Sequence, residues 1–249
     1  MKNLTDFQEL HVQKIPFLLG NVWDAHTAKI AERVGFKALG SSSHAIANAM
    51  GYQDGEEIHP DELLFVVERI AKAIKIPLSV DFEAGYSDDP KKVAEQVARL
   101  VDVGVVGINL EDGSVKNGKR SLGEASLLAD KIAAIKAKSS IFINARTDTY
   151  VTKHANPLEE SIERAKLYGD AGADGIFVPK IEEANEIQQF TRSIALPLNV
   201  FYSPDLPSLE RLGTLGVKRV SHGALLYEFL LQQTEEYLKQ FKTKGKLPS

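Results

Sequence analysis

Eight short apolar runs, separated by longer segments of helical pattern, constrain the fold more than any other feature of this sequence. The runs are 17–22 "FLLGNV", 37–40 "KALG", 77–81 "PLSVD", 105–110 "VVGINL", 141–145 "IFINA", 174–178 "DGIFV", 197–201 "PLNVF" and 217–220 "VKRV". Their length and their content of Val, Ile, Leu and Phe read as strands. The intervening segments 90–103, 124–138 and 157–171 carry helical periodicity, and Pro90 stands at a first-turn position. Gly35, Gly104, Gly172 and Gly216 fall where helices end and strands follow. Several runs show little alternation, as expected of strands covered on both faces. Eight β–α units in 249 residues predict an α/β fold, a (β/α)8 TIM barrel forming a single domain over 1–249. An open doubly wound sheet is the lesser alternative, because no glycine-rich dinucleotide fingerprint follows the first run.

Composition removes several kinds of function. The chain has no cysteine, which excludes disulfides, thiolate nucleophiles and Cys-bound metal clusters. Net charge is −4 with both signs dispersed and no basic block, so no nucleic-acid partner is expected. The N-terminal "MKNLTDFQEL" is too polar for a signal peptide, and no run is long enough to cross a membrane. A cytoplasmic protein without membrane partners is the expectation.

Active sites of such barrels lie where the strands end. Those ends supply Trp23 and Asp24, then Ser41, Ser42, Ser43 and His44, then Asp81 and Glu83. They continue with Glu111 and Asp112, Arg146 and Asp148, Pro179 and Lys180, Asn199 and Tyr202, and Ser221 and His222. Asp81 and Glu83 are two apart, so on a strand they point the same way. Two adjacent carboxylates repel unless something positive lies between them. Asp81, Glu83 and Glu111 on neighbouring strands make a hard oxygen site, suited first to Mg²⁺ and second to Mn²⁺. The plainer alternative is that Arg146 merely neutralises these acids in a buried network. Two enlarged connections border this end. Segment 41–60 contains a possible short helix, "SHAIANAM". Segment 112–123, "DGSVKNGKRSLG", is expected to be a mobile active-site loop, with Gly113, Gly118 and Gly123 as hinges. Its Lys116, Lys119 and Arg120 carry charge to meet an anionic substrate.

The stretches "NVWDAHTAKIAERVGFKALGSSS", "GYQDG", "VDFEAGYS", "GINLEDG", "INARTDTY", "ADGIFVPKI" and "VKRVSHGALLYE" occur in that order. Together they resemble the isocitrate lyase/phosphoenolpyruvate mutase superfamily across residues 15–230. The resemblance implies a (β/α)8 barrel and a Mg²⁺-dependent enzyme on 2-oxo acids, making or breaking C–C or P–C bonds. It implies Asp81 as direct metal ligand, with Glu83 and Glu111 holding the metal largely through waters. It implies Arg146 as the substrate-binding arginine and Asp54 as a catalytic-region aspartate. Ser41, Ser42 and Ser43 would grip the substrate's acid group, with Trp23 and Asn199 completing the binding set. His44 is the preferred proton donor over Lys180, Tyr202 and His222. A homo-oligomer, dimer or tetramer, is also implied.

The chain departs from the lyase branch. That branch carries Cys-Gly-His in the loop after strand four, and residues 112–123 contain neither Cys nor His. Retro-aldol cleavage needs a base, whereas decarboxylation needs only an electron sink. The expected activity is therefore C–C cleavage through a pyruvate enolate, with oxaloacetate as the type substrate. Phosphoenolpyruvate mutase or phosphonopyruvate hydrolase chemistry is the alternative. Asn117-Gly118 matches that branch's Asn-Ser motif poorly, and Pro179 stands where some of its members have His. A non-catalytic barrel that binds a carboxylate metabolite is the third reading.

Overall fold

The computed structural model describes residues 3–116 and 118–246. The chain opens with α1 (Leu4–Leu10), β1 (Phe17–Val22), α2 (Ala25–Val34), β2 (Leu39–Ser41) and α3 (Ser43–Ala49). It continues with α4 (Pro60–Ala73), β3 (Leu78–Asp81), α5 (Pro90–Asp102) and β4 (Gly107–Glu111). A hairpin, β5 (Gly113–Lys116) and β6 (Lys119–Leu122), precedes α6 (Ala125–Lys138) and β7 (Phe142–Arg146). Then come α7 (Pro157–Asp170), β8 (Gly175–Val178), α8 (Ala184–Ser193) and β9 (Leu198–Phe201). The remainder is α9 (Leu209–Thr214), β10 (Val217–Ser221) and α10 (Leu225–Lys244). Eight parallel strands close in the order β1-β2-β3-β4-β7-β8-β9-β10, with β10 pairing back to β1. This is the (β/α)8 barrel that the eight runs predict.

Each run holds a strand, with edges moved by one or two residues. Pro77 and Pro197 stand just outside β3 and β9. Proline has no N–H to give a ladder, and these two contribute only carbonyls, to the N–H groups of Leu39 and Ile176, both at 2.9 Å. The second run shifts to Leu39–Ser41. The segment read as a loop, 112–123, contains an antiparallel hairpin with Val115 opposite Arg120 and Ser114 opposite Ser121. Asn117, half of the Asn-Gly pair weighed above, lies outside the described residues.

The strands alternate more than the sequence reading allows. In β4, Ile108 and Leu110 join a large apolar cluster with helix residues such as Val93 and Val97 of α5 and Ile132 and Ile135 of α6. Asn109, between them, points into the lumen. The same division holds for Asn144 between Ile143 and Ala145, and for Asn199 between Leu198 and Val200. Helices cover the outer face, so that face alone must be apolar. Asp89 accepts the N–H of Lys91 at the start of α5 and Pro90 follows at its first turn, fixing the helix whose Val93, Val97 and Leu100 sit on that outer face. Burying such side chains contributes roughly 1.5–3 kcal/mol each.

Lumen and floor are built differently. The Asn144 amide donates to Asn109 Oδ1 at 2.9 Å and to Asn199 Oδ1 at 3.3 Å. Arg219 of β10 reaches across to Asn109 Oδ1 at 3.1 Å. Below these amides α1, which the sequence reading did not anticipate, closes the bottom with Phe7, packed edge-on to Phe142 at 5.3 Å. His11 stacks on Phe142 at 4.1 Å, and its Nδ1–H donates to the Phe7 carbonyl at 2.8 Å. Burial, reinforced by Arg219, pushes the His11 pKa down to about 3, so the ring is neutral in the folded protein at ordinary pH.

Candidate active site

At the C-terminal end of the strands lies a cavity of about 270 Å³. Ser42, Ser43, His44, Asp54, Asp81, Glu83, Glu111, Arg120, Arg146 and Glu228 are among the residues that line it. Asp81, the last residue of β3, is held from three directions. Its N–H donates to Ser41 Oγ at 2.9 Å, its Oδ2 accepts from Ser43 Oγ at 2.9 Å, and its Oδ1 faces the Asn109 amide at 3.5 Å. The serine run thus serves two functions locally. Ser42 caps α3 through Ala45 N–H at 3.3 Å, while Ser41 and Ser43 fix Asp81.

Glu83 reaches the same cavity, but not through strand alternation. β3 ends at Asp81, and Glu83 lies in a turn with φ +45°, a conformation costly for a residue with a Cβ. The turn is held because Glu111 N–H donates to the Glu83 carbonyl at 2.8 Å. Tyr86 O–H donates to Glu83 Oε1 at 3.1 Å. Burial, then the nearby Asp54, Asp81 and Glu111 charges, push the Glu83 carboxyl up to about 8.

Glu111 and Asp148 sit between two arginines. Arg146 Nη1 meets Glu111 Oε2 at 2.9 Å, while its Nε donates to Asp148 Oδ1 at 2.7 Å and its Nη2 to Asp148 Oδ2 at 3.2 Å. From the hairpin, Arg120 Nη1 donates to Glu111 Oε1 at 2.6 Å and to Asp148 Oδ2 at 2.7 Å. Burial raises the Glu111 carboxyl while both guanidiniums pull it down. Asp148 is also buried, yet Arg146 and Arg120 hold it below the usual carboxylate range. The plainer alternative is therefore partly real: Arg146 does neutralise buried acids. It also lines the cavity with two of its five N–H groups outside the three bonds just named.

At the rim, the half-buried His44 lies 3.8 Å from Asp54 and 3.7 Å from Glu228 of α10. Trp23 is half-buried and packs edge-on to Tyr227 at 5.2 Å, beside the lining. Asn199 lies deeper, in the lumen, donating to the Val200 carbonyl at 2.7 Å and Ser221 Oγ at 3.2 Å. Asp112 turns away from the mouth, to Tyr168 O–H at 2.6 Å and Arg164 at 3.1 Å, and accepts Asp148 N–H at 2.9 Å. Sequence reasoning missed the placing of Arg120 on Glu111 and Asp148, and it missed Glu228. The Asn-Gly pair between two short strand-like runs, a hairpin signal that sets Val115 opposite Arg120, was available for the first; "LLYEFLL" carries none for the second.

Among the described residues, no three acidic or histidine side chains converge closely enough to enclose a metal ion by themselves. The donor set fits a cation that keeps most of its waters. Asp81 and Glu83 place hard oxygens on one cavity and are held by hydroxyl and amide donors rather than by arginine or lysine. Asp81, with Glu83 and Glu111 beside it on the same cavity, would hold such a cation.

Residues 7–242 match the family model described as phosphoenolpyruvate phosphomutase. An uncharacterized protein of Mycobacterium tuberculosis is 38% identical over 222 residues, 89% of this chain and 83% of that one. The oxaloacetate decarboxylase of Pseudomonas entomophila is 29% identical over 244 residues, 94% of this chain and 82% of that one. A crystal structure from Burkholderia cenocepacia, 36% identical, superposes with TM-score 0.88 over 95% of this chain and 99% of that one. A phosphonopyruvate hydrolase complexed with oxalate and Mg²⁺, 21% identical, shares the fold at TM-score 0.87 over 100% of this chain and 92% of that one. The chain belongs to the phosphoenolpyruvate phosphomutase family.

Proposed function

We propose that the protein is a Mg²⁺-dependent lyase acting on a small 2-oxo carboxylate, in the manner of an oxaloacetate decarboxylase. One observation carries this reading. The hairpin over the mouth delivers a guanidinium, Arg120, where a retro-aldol lyase needs an acid or base. Cleaving a hydroxy acid requires removal of a hydroxyl proton. Losing CO₂ from a 3-carboxy-2-oxo acid does not. The C3–C4 bond breaks, its electron pair forms the C2–C3 double bond, and the keto oxygen becomes an enolate oxygen.

A bound divalent cation would polarise the keto and carboxylate oxygens. This chain's own residues supply the rest. Arg146 offers its remaining N–H groups to the growing negative charge at the keto oxygen, in a site whose donors are fixed before reaction. Ser42 and Ser43 line the wall that meets the substrate carboxylate. His44, half-buried between Asp54 and Glu228, would return a proton to C3.

A second reading rests on the same arginine. A guanidinium is also a good partner for a phosphonate, so Arg120 favours P–C bond chemistry as the runner-up. A non-catalytic carboxylate binder is the third reading, and the retention of Asp81, Glu111 and Arg146 around one cavity speaks against it. The deciding experiment incubates the protein with Mg²⁺ and, separately, oxaloacetate, phosphonopyruvate, phosphoenolpyruvate and 2-methylisocitrate, and follows products. Pyruvate and CO₂ from oxaloacetate support the proposal. Pyruvate and phosphate from phosphonopyruvate alone would replace it by the runner-up, and no turnover would leave the binder.

We further propose a cytoplasmic homo-oligomer. α10 leaves Phe229, Leu230, Leu231, Leu238 and Phe241 exposed, an apolar surface suited to a second copy. Among the described residues, no helix is long and apolar enough to cross a membrane.

A further inference from the structure

Arg219 is 1% exposed and lies in the lumen below the cavity. It stands on β10, and its Nη2 reaches Asn109 on β4, the strand diametrically across the barrel. Its Nε and Nη1 have no hydrogen-bond partner in the protein. Its one named contact is the Asn109 amide, not a carboxylate. A buried cation without an ion partner is strongly disfavoured, and packing alone does not require one, since an apolar side chain would fill the space. Burial pushes the guanidinium down to about 9, and the charge that pulls it back up is the Asp81 carboxylate. It remains a cation at neutral pH.

Asn109 links the two. Its Oδ1 accepts from Arg219 and from Asn144, which fixes the amide's orientation. Its Nδ2 is thereby aimed at Asp81 Oδ1, 3.5 Å away. Two hydrogen-bond lengths and one amide separate the charges, about 9 Å at most, a range over which they still act on each other inside a protein. Among the described residues at the mouth, the acids Asp54, Asp81, Glu111 and Asp148 outnumber the guanidiniums Arg120 and Arg146, even with the Glu83 carboxyl pushed up to about 8. An anion entering that mouth meets an excess of negative charge. Arg219 offsets part of it from a position that no ligand can displace.

We propose that Arg219 is a positioning residue that sets the charge balance of the mouth: a fixed cation that orients Asp81 through Asn109, weakening a bare divalent cation and strengthening an anionic ligand. The inference rests on the reading that Asp81 holds a metal beside a 2-oxo acid. Calorimetry tests it on the full chain, with Mg²⁺ alone and with oxalate alone in chelator. Arg219→Met should bind Mg²⁺ about tenfold more tightly and oxalate about tenfold more weakly, while Arg219→Lys stays near wild type in both. Loosened packing would instead weaken both. Asn109→Asp gives Arg219 a carboxylate partner and should shift both affinities as Arg219→Met does, so it serves if Arg219→Met fails to fold. Movement of both affinities in one direction, or of neither by more than about twofold, overturns the proposal. Should the wild type bind no Mg²⁺, the metal reading itself fails and the oxalate comparison alone judges Arg219.

Discussion

At the mouth of the barrel, Arg146 and Arg120 share Glu111 and Asp148 through contacts as short as 2.6 Å. In the lumen below, Arg219 touches an amide and leaves two nitrogens without partners. Lower still, His11 is kept neutral among aromatic rings. Charge is thus paired at the top, unpaired in the middle and suppressed at the bottom. Paired charges can be exchanged, because an arriving anion can take over one guanidinium and an arriving cation one carboxylate. Charges walled into the lumen cannot exchange, and they act only through their field. The top of the barrel is built to be rearranged by ligands, and the levels beneath it are built to stay fixed.

The largest expected effect comes from the mouth. Asp81→Ala should abolish Mg²⁺ binding by calorimetry while leaving the far-UV circular dichroism spectrum unchanged, because the side chain faces a cavity rather than the apolar cluster. Unchanged affinity would mean that the mouth's acids are structural, like the levels below. Arg146→Lys comes next. It keeps the charge but loses the planar fork that spans Glu111 and Asp148. The loss in kcat/KM should be about 10²-fold, or ~2.7 kcal/mol of transition-state stabilisation. A variant within about threefold of wild type would remove Arg146 from the reacting centre.

The floor gives a smaller effect that sharpens the contrast. An unfolded chain takes up the His11 proton near 6.5, the folded protein only near 3. Stability from this group is present above 6.5 and is lost as pH falls, amounting to ~2 kcal/mol by pH 5. In His11→Phe, the difference in unfolding free energy between pH 7 and pH 5 should shrink by about that amount in urea titrations. An unchanged difference would show that the floor is not what acid attacks.

The smallest effect tests the hairpin. If the reaction is decarboxylation, Arg120→Ala should raise KM about tenfold with kcat within about tenfold, since attraction for the anion is lost and no proton-transfer group is removed, while Arg146 still pairs Glu111 and Asp148. A fall in kcat of roughly 10³-fold would instead mark a phosphoryl clamp and promote the runner-up.

Which of these features are visible in the sequence follows from where the information lies. The eight strands are legible because each apolar run is bounded by Pro, Gly or a charged residue, and two of their small edge errors come from prolines that pair only through carbonyls. The acids at strand ends are legible because a barrel puts them at one mouth. The lumen is not. "GINLE" alternates as clearly as any exposed strand, but nothing local says that Asn109 faces Arg219, which lies 110 residues away. Glu83 is misread for a similar reason. The rule of two assumes a strand, and the strand stops at Asp81. The floor helix is hidden because its single buried residue, Phe7, is too little for a pattern.

The hairpin pairs Val115 with Arg120 on one face. Val115 rests on Gly55, where even a methyl group would sit 2.6 Å from the valine Cβ, so this face is pinned against the neighbouring loop. Its antiparallel pairing makes the hairpin a one-step selector in evolution. Adding or deleting a single residue between Val115 and Arg120 would turn the arginine outward and bring Lys119 or Ser121 onto Glu111 and Asp148 instead. Relatives could then change the chemistry presented to substrate without altering a single barrel residue, simply by changing the length of a turn.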